Sequence, residues 1–283
     1  MRVMIIDFHT HSHASDGALS PADLVTAAIA AGISQFAITD HDTVAGFLEA
    51  RALSDSFPAG FSLVSGTELS CVWAKTTIHV VGLGVDVEEP GLVAGLAQLD
   101  KAREERAGII AERLEKLGMP GALEGARRYA GVSQIGRPDF ARWMVEQEHV
   151  RDANEAFDKY LGAGKTGDVK ACWPELHEVT GWITGAGGTA VLAHPLKYRY
   201  TRMKLRRLVQ DFKAAGGTAI EVYSGRQLPD QTAQLARLAQ EFELLASAGS
   251  DFHREYDYGP RLGVDTERLP QGLQLWSAAG NAA

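Results

Sequence analysis

Cysteine is nearly absent: Cys71 and Cys172 are the only two in 283 residues, and no Cys-x-x-Cys pair occurs. That excludes a disulfide framework and a thiolate zinc site, and it suits a reducing cytoplasmic setting. Long apolar runs are missing too. The longest stretch free of Asp, Glu, Lys and Arg runs from Val179 to Leu196 and is broken by Gly181, Gly185, Gly187, Gly188 and Pro195. It barely reaches bilayer length and reads as a helix end, a turn and a strand, so no membrane association is expected. Four apolar residues, Val3 to Ile6, precede Asp7, too few for a secretory segment, and no targeting signal is expected. There is no excess of basic charge either: 28 Lys and Arg stand against 36 Asp and Glu, a net charge of −8. Non-specific binding to duplex DNA or anionic membranes is thereby disfavoured, and an anionic substrate must meet a local positive site. What remains is ordinary globular composition, 45% hydrophobic and 23% charged, in a chain long enough for one large domain or two of roughly 150 residues. No internal repeat and no signature of an obligatory protein partner is present.

Short apolar runs alternate with helical patterns, which predicts an α/β fold with a parallel sheet. The expected strands are Val3 to Phe8, Phe36 to Thr39, Phe61 to Leu69, Thr77 to Leu83, Thr189 to Ala193, Ala219 to Tyr223 and Leu244 to Ala248, about seven, which suits a barrel. Ser20-Pro21 predicts a helix start and Gly32 its stop. Between about 100 and 168 the texture changes to charged helix with no β-branched run. A helical insertion, acting as a substrate cap, is expected there, with 1–99 and 169–283 forming the barrel.

The chemistry gathers where the strands end. Asp7-Phe8-His9-Thr10-His11 with Asp16 follows the first, Thr39-Asp40-His41-Asp42 the second and Gly66-Thr67-Glu68 the third. His79 lies on the next, Ala193-His194-Pro195 follows another, and Gly249-Ser250-Asp251-Phe252-His253 the last. In an extended segment residues two apart share a face, so His9 and His11 can grip one ion, and Asp251 and His253 are expected to repeat that geometry. Parallel barrels collect such residues at the C-terminal strand ends. Six of the nine histidines fall in these places. The candidate ligands are His9, His11, Asp16, His41, Glu68, His79, His194, Asp251 and His253, and imidazole with carboxylate points to manganese, zinc or iron.

These strings, in this order, resemble the PHP (polymerase and histidinol phosphatase) superfamily over residues 3 to 84 and about 189 to 263. The resemblance implies a distorted seven-stranded (β/α) barrel with two or three divalent ions, manganese first and zinc or iron as alternatives. It implies that His9, His11, Glu68 and Asp251 hold one ion, that Glu68, His79 and His194 hold a second with Glu68 bridging, and that Asp16, His41 and His253 hold a third. Three such ions outweigh the three carboxylates, so the pocket favours a phosphate oxyanion. The expected nucleophile is a hydroxide bridging the metals. Asp40 and Asp42 are expected to orient His41, and His13 to do the same or to protonate the leaving group.

Lys197, Arg199, Arg202, Lys204, Arg206 and Arg207 place six basic residues in eleven directly after His194-Pro195-Leu196. Lys197, Arg199 and Arg202 are expected to contact phosphate, whereas Arg206 and Arg207 suit a solvated helix face. Tyr198 and Tyr200 suit either base stacking or packing. Within the insertion, Gly136-Arg137-Pro138-Asp139-Phe140-Ala141-Arg142 resembles a segment of the nucleoside 3′,5′-bisphosphate phosphatases and related 5′-end oligoribonucleases. That likeness makes Arg137 a phosphate anchor. Asp139 departs from the His common there, and it would repel phosphate unless paired with Arg137 or Arg142. The tail Gly259-Pro260-Arg261-Leu262-Gly263 extends the match.

The expected activity is hydrolysis of the 3′-phosphate of a nucleoside 3′,5′-bisphosphate to the 5′-nucleotide, with 5′-to-3′ exoribonuclease action on short RNA ends as the alternative. A metal-dependent amidohydrolase shares the opening His-x-His but usually needs a bridging lysine, and no lysine follows a mid-chain strand. A histidinol-phosphatase-like activity would share the barrel. A degenerate, binding-only barrel is disfavoured because every expected ligand position holds a plausible ligand.

Overall fold

The computed structural model describes residues 4–131, 133–169, 172–269 and 274–275. Two mixed sheets form. In the first, β1 (Ile5–Asp7), β2 (Gln35–Ala37) and β3 (Ser62–Val64) run parallel, and β9 (Val264–Asp265) pairs antiparallel with β1. In the second, β4 (Gly66–Trp73), β5 (Thr76–Leu83), β6 (Thr189–Leu192), β7 (Ala219–Ser224) and β8 (Leu245–Gly249) lie side by side in chain order. Here β4, β5 and β6 pair antiparallel, and β6, β7 and β8 parallel.

The α/β expectation holds, but a single seven-stranded parallel barrel does not form. The predicted strand from Phe61 to Leu69 divides at Ser65 into β3 and β4, which belong to different sheets. A two-residue turn with positive φ at Ala74 (46°) and Lys75 (62°) folds β5 back on β4, where two parallel strands had been expected. Val3 of the predicted first strand lies outside the described residues. The sheets meet along two seams. Phe8 N–H donates to Ala248 O at 3.2 Å and Thr10 bridges to Phe252, while the segment after β2 bridges to β4 through His41 and Glu68. Both seams lie at the strand ends that carry the metal-ligand residue types.

Helix α1 (Pro21–Ala30) starts as the sequence requires, with Ser20 Oγ accepting from Asp23 N–H at 3.1 Å, and Gly32 ends it with φ +74°. A short α2 (Ala45–Arg51) follows. The 26-residue α3 (Pro90–Glu115) leads to α4 (Ala122–Ala130), α5 (Arg137–Glu146), α6 (Ala153–Ala156) and a π turn over Phe157–Leu161. The chain then returns through α7 (Leu176–Gly185), α8 (Arg202–Ala214) and α9 (Pro229–Glu241). No described helix is long and apolar enough to cross a membrane.

Apolar burial explains how α3 is placed. Leu92, Leu99 and Ala102 belong to the main core with the second sheet, α7, α8 and α9. Ala107, Ile110, Ala111 and Leu114 belong to a separate cluster with Phe140, Trp143, Met144 and Leu161. The change of core falls between Ala102 and Ala107, where α3 carries Arg103 and Arg106. Both arginines are buried, and polar groups gather at this boundary.

Candidate metal centre

The nine candidate ligands converge around one carboxylate. Glu68, fully buried in β4, is held by its backbone: its N–H donates to Asp40 O at 3.1 Å, and its carbonyl accepts from Asp42 N–H at 2.9 Å. Its Oε1 lies 2.9 Å from His79 Nδ1 and 2.8 Å from His194 Nε2. Its Oε2 lies 3.1 Å from His9 Nε2, 3.3 Å from His11 Nε2 and 3.0 Å from His41 Nδ1. Asp251 Oδ1 is 3.6 Å from His9 Nε2 and 3.4 Å from His11 Nε2. Asp16 Oδ1 is 3.2 Å from His253 Nε2 and 3.8 Å from His11 Nδ1. Four sets of ligand atoms are each close enough for one cation: His9, His11 and Asp251; His9, Glu68 and His194; His41, Glu68 and His79; and His11, Asp16, His41 and His253.

Internal hydrogen bonding does not account for this arrangement. His11 Nδ1, Asp16 Oδ1, His41 Nδ1 and Glu68 Oε2 are buried and make no hydrogen bond, while His9 Nε2 and His11 Nε2 face each other at 3.1 Å. Buried lone pairs converging without donors are costly unless a cation takes them up, and imidazole with carboxylate is a donor set that divalent ions accept. The residues therefore fit the implied metals.

The charges also suit ligation. Burial works to raise the Glu68 carboxyl, but His9, His41 and His79 outweigh it and hold it well below the usual range. Burial lowers His41 and His194 to about 4, which leaves their ring nitrogens as lone-pair donors. His9 is the exception: burial would likewise lower it, yet Glu221 and Glu68 raise it to about 10, so an ion bound there must displace its proton.

Several residues expected at the site do other work. The side chains of Asp40 and Asp42 do not reach His41. Asp40 accepts from Ser12 N–H at 2.7 Å, Ser12 Oγ at 2.6 Å and Ser15 Oγ at 2.6 Å, bracing the loop that carries Asp16. Asp42 accepts from Ser70 N–H at 2.5 Å and Arg103 Nε at 2.7 Å. Asp40 lies on the face opposite its neighbour His41, and the backbone turns at Asp42, where φ is +55°, so both hold the segment rather than the ring. His13 is exposed and belongs to none of the ligand sets. Asp251 and His253 do not share an ion set, because Asp251 has φ +54° and the two-residue alternation fails there.

The basic cluster divides in the same way. Lys197 Nζ pairs with Asp251 Oδ2. Arg199 is exposed, and Arg202 lies at the start of α8 beside Met203, Arg206 and Arg207, in a surface hollow that no candidate ligand lines. Tyr198 is engaged in packing: its hydroxyl accepts from His79 N–H at 2.9 Å and donates to Ala193 O at 3.1 Å, and its ring meets His194 edge-on at 5.5 Å. Tyr200 packs against Trp73 and Tyr198 with Lys204 Nζ 4.0 Å from its ring centre. Asp139 accepts from Gly136 N–H at 2.8 Å and so caps α5, with Arg142 only 3.8 Å away.

The pattern of the PHP domain matches residues 7–123. Over 266 residues, 94% of this chain and 92% of the relative, the sequence is 42% identical to the 3′,5′-nucleoside bisphosphate phosphatase of Chromobacterium violaceum. It is 41% identical over 277 residues, 98% and 91%, to the 5′-3′ exoribonuclease Rnm of Escherichia coli. The chain belongs to the PHP family. A solved amidohydrolase from Chromobacterium violaceum, with bound sulfate and no metal, has a TM-score of 0.87 at 40% identity and covers 97% of this chain and 95% of that one. The sequence reading of a metal-dependent phosphoric ester hydrolase stands with that membership.

Two groups in this PHP protein escape motif reading. Glu221, buried in β7, places one oxygen 2.5 Å from His9 Nδ1 and accepts from His194 N–H at 2.5 Å with the other. It therefore fixes which nitrogen of His9 faces the cluster, the role carboxylates take behind metal-bound imidazoles. Its only sequence signal is a charge inside the apolar run Ala219-Ile220-Glu221-Val222. The second group is a cavity of about 200 Å³ between α3 and α5, reaching Asp16, His41 and His79 and lined by Arg103, Arg106 and Arg137. Arg103 and Arg106 stack on Trp173, 5.6 and 5.3 Å from its ring centre. Arg103 is paired with Asp42, but among the described residues neither Arg106 nor Arg137 forms an ion pair. Burial, with Arg137 and Arg103 nearby, pushes Arg106 down to about 9.

Proposed function

We propose that this PHP protein hydrolyses the 3′-phosphate of a nucleoside 3′,5′-bisphosphate, giving the 5′-nucleotide and inorganic phosphate. The observation that carries the reading is the arginine cavity beside the candidate metal centre. A substrate with two phosphates needs two anion sites, and the buried Arg106 with the part-buried Arg137, neither in an ion pair among the described residues, suit the phosphate that is not hydrolysed. The near relative named as a 3′,5′-nucleoside bisphosphate phosphatase supports it.

In this reading His9, His11, Glu68 and Asp251 would hold one divalent ion, Glu68, His79 and His194 a second, and Asp16, His41 and His253 a third, with manganese as the first choice. Bound ions supply Lewis acidity to the phosphoryl oxygens and to the attacking water. Arg106 and Arg137 bind the 5′-phosphate, while Asp42 keeps Arg103 in line with them. Glu221 holds His9 in one orientation, and Lys197 stands next to Asp251 where it can reach a phosphoryl oxygen. A water oxygen bonds to phosphorus, the P–O3′ bond breaks, and O3′ takes a proton. The helices of residues 100–168 act as the cap that shuts water away from the 5′ side.

Exoribonuclease action from the 5′ end is the second reading, and the relative named 5′-3′ exoribonuclease favours it. It asks for the same bond to break: the 3′-phosphorus of a 5′-phosphorylated terminal nucleotide then carries the next nucleotide instead of a free oxygen. The test is product release by manganese-loaded protein on adenosine 3′,5′-bisphosphate, AMP, histidinol phosphate and a 5′-phosphorylated trinucleotide. Conversion of the bisphosphate to AMP, with AMP resistant, is expected. Preference for the trinucleotide moves the function to RNA ends, and silence on all four with metal bound refutes both readings.

A further inference from the structure

A second hollow reaches the candidate metal centre through different residues. It measures about 600 Å³, and it meets the centre at Asp251, His253 and Lys197, whereas the arginine cavity meets it at Asp16, His41 and His79. The two hollows share no lining residue. The outer wall of this second hollow is the segment after His253. Arg254, Tyr256 and Tyr258 line it, while Glu255 and Asp257 line a different hollow beside α1, together with the shared Tyr256. Along this segment alternate residues thus separate the cation and aromatic rings from the acids. Tyr256 and Tyr258 are 62% and 80% exposed, among the most exposed large side chains described. Arg226, from the loop after β7, lines the same hollow and donates to Tyr258 O at 2.7 Å, tying the segment to the second sheet.

We propose that this groove carries the 3′ continuation of a single-stranded oligonucleotide whose 5′-phosphorylated first nucleotide occupies the arginine cavity. The proposal rests on the phosphoesterase reading above and adds a track for the nucleotides beyond the scissile phosphate. Three observations favour a polynucleotide. One wall carries Arg254 and the exposed rings of Tyr256 and Tyr258, with Arg226 added from the loop after β7, the combination that holds a phosphate backbone and stacks bases without regard to sequence. The positive charge is local, in a chain of net charge −8. The groove also begins at the candidate metal centre, so a chain entering it leads away from the phosphorus being attacked. A mononucleotide bisphosphate ends at that phosphorus and has nothing to place there.

Two variants test this, Tyr256→Ala/Tyr258→Ala and Arg226→Ala, on the full-length manganese-loaded protein. The substrates are adenosine 3′,5′-bisphosphate and 5′-phosphorylated RNAs of two, three and five nucleotides. Wild-type KM is expected to fall with RNA length. The tyrosine variant should raise KM for the pentanucleotide about tenfold or more and leave the bisphosphate within about twofold. Anisotropy of a 3′-fluorescein pentanucleotide in EDTA reads the same loss without turnover. Equal effects on bisphosphate and pentanucleotide, or pentanucleotide binding unchanged in both variants, would overturn the groove. Absence of turnover on every substrate, with wild-type binding still lost in the variants, overturns the phosphoesterase reading and leaves the groove standing.

Discussion

Replacing Arg106 with methionine should make the metal-free protein more stable and the loaded enzyme worse at binding a bisphosphate. Arg106 is 8% exposed, and burial with Arg137 and Arg103 lowers it from 12.5 to about 9. Its charged form is thus disfavoured in the fold by up to about 5 kcal/mol at neutral pH. Against that stand the hydrogen bond from Nε to Val169 O at 3.2 Å and the contact with Trp173, together worth about 2 kcal/mol. Methionine keeps most of the apolar stem, so the variant gains up to about 3 kcal/mol, and each kcal/mol moves the midpoint of a chain this long by about 2–4 °C. An anion offsets the same penalty: in EDTA, inorganic phosphate should raise the Tm of wild type and leave the variant nearly unmoved. The expected kinetic loss is about a hundredfold in KM for the bisphosphate, the scale of a buried charge-assisted contact. A variant less stable than wild type that binds the bisphosphate normally would refute the reasoning.

Other outcomes follow from the centre itself. Glu68→Gln keeps the shape of the side chain shared by five histidines but removes its charge. Turnover should fall at least about a thousandfold while circular dichroism is retained, and elemental analysis should find less bound metal. Glu221→Gln leaves every candidate ligand in place and weakens the hold on His9 and His194. Metal affinity should drop about 10–100-fold, and added manganese should restore most activity. The stability of the metal-free protein, read by urea unfolding, should peak near pH 6.5. His41 and His194, lowered to about 4, contribute stability that is lost as pH falls from 6.5 towards 4. His9, raised to about 10, contributes stability that is lost as pH rises from 6.5 towards 10. Asp7, which burial pushes up to about 6, opposes the acid limb, as do Asp40 and Asp139, which burial also raises, while the lowered His253 and the carboxylates of Asp16, Glu68 and Glu221, held low by nearby histidines, reinforce it. A profile that climbs or falls steadily from pH 5 to 9 would contradict those assignments.

The candidate ligands were legible because strand-end chemistry follows short rules. Two residues apart on one extended segment means one face, and the burial of both His9 and His11 beside Glu68 follows from it. Where the backbone leaves the extended region the rule fails. Asp42, His194 and Asp251 have φ of +55°, +29° and +54°, a conformation that non-glycine residues rarely adopt and that no sequence pattern announces. The β4–β5 reversal was hidden for a related reason: its turn uses Ala74-Lys75 where asparagine and glycine would have signalled it. Arg103 and Arg106 lie in a run of charges that reads only as a charged helix, and they are buried because α3 passes from one core to another between Ala102 and Ala107. Arg202 shows the reverse error. Nearness in sequence to His194 suggested a phosphate contact, but α8 begins at that residue and leaves it in a surface hollow apart from the candidate ligands.

The most direct test of the central claim is hydrolysis of adenosine 3′,5′-bisphosphate by manganese-loaded protein in ¹⁸O-labelled water, with both products weighed by mass spectrometry. The account predicts one labelled oxygen in inorganic phosphate and unlabelled AMP, because water attacks the 3′-phosphorus and the P–O3′ bond breaks. Label in the nucleoside product, release of adenosine 3′-phosphate, or no turnover by protein with metal bound would contradict it.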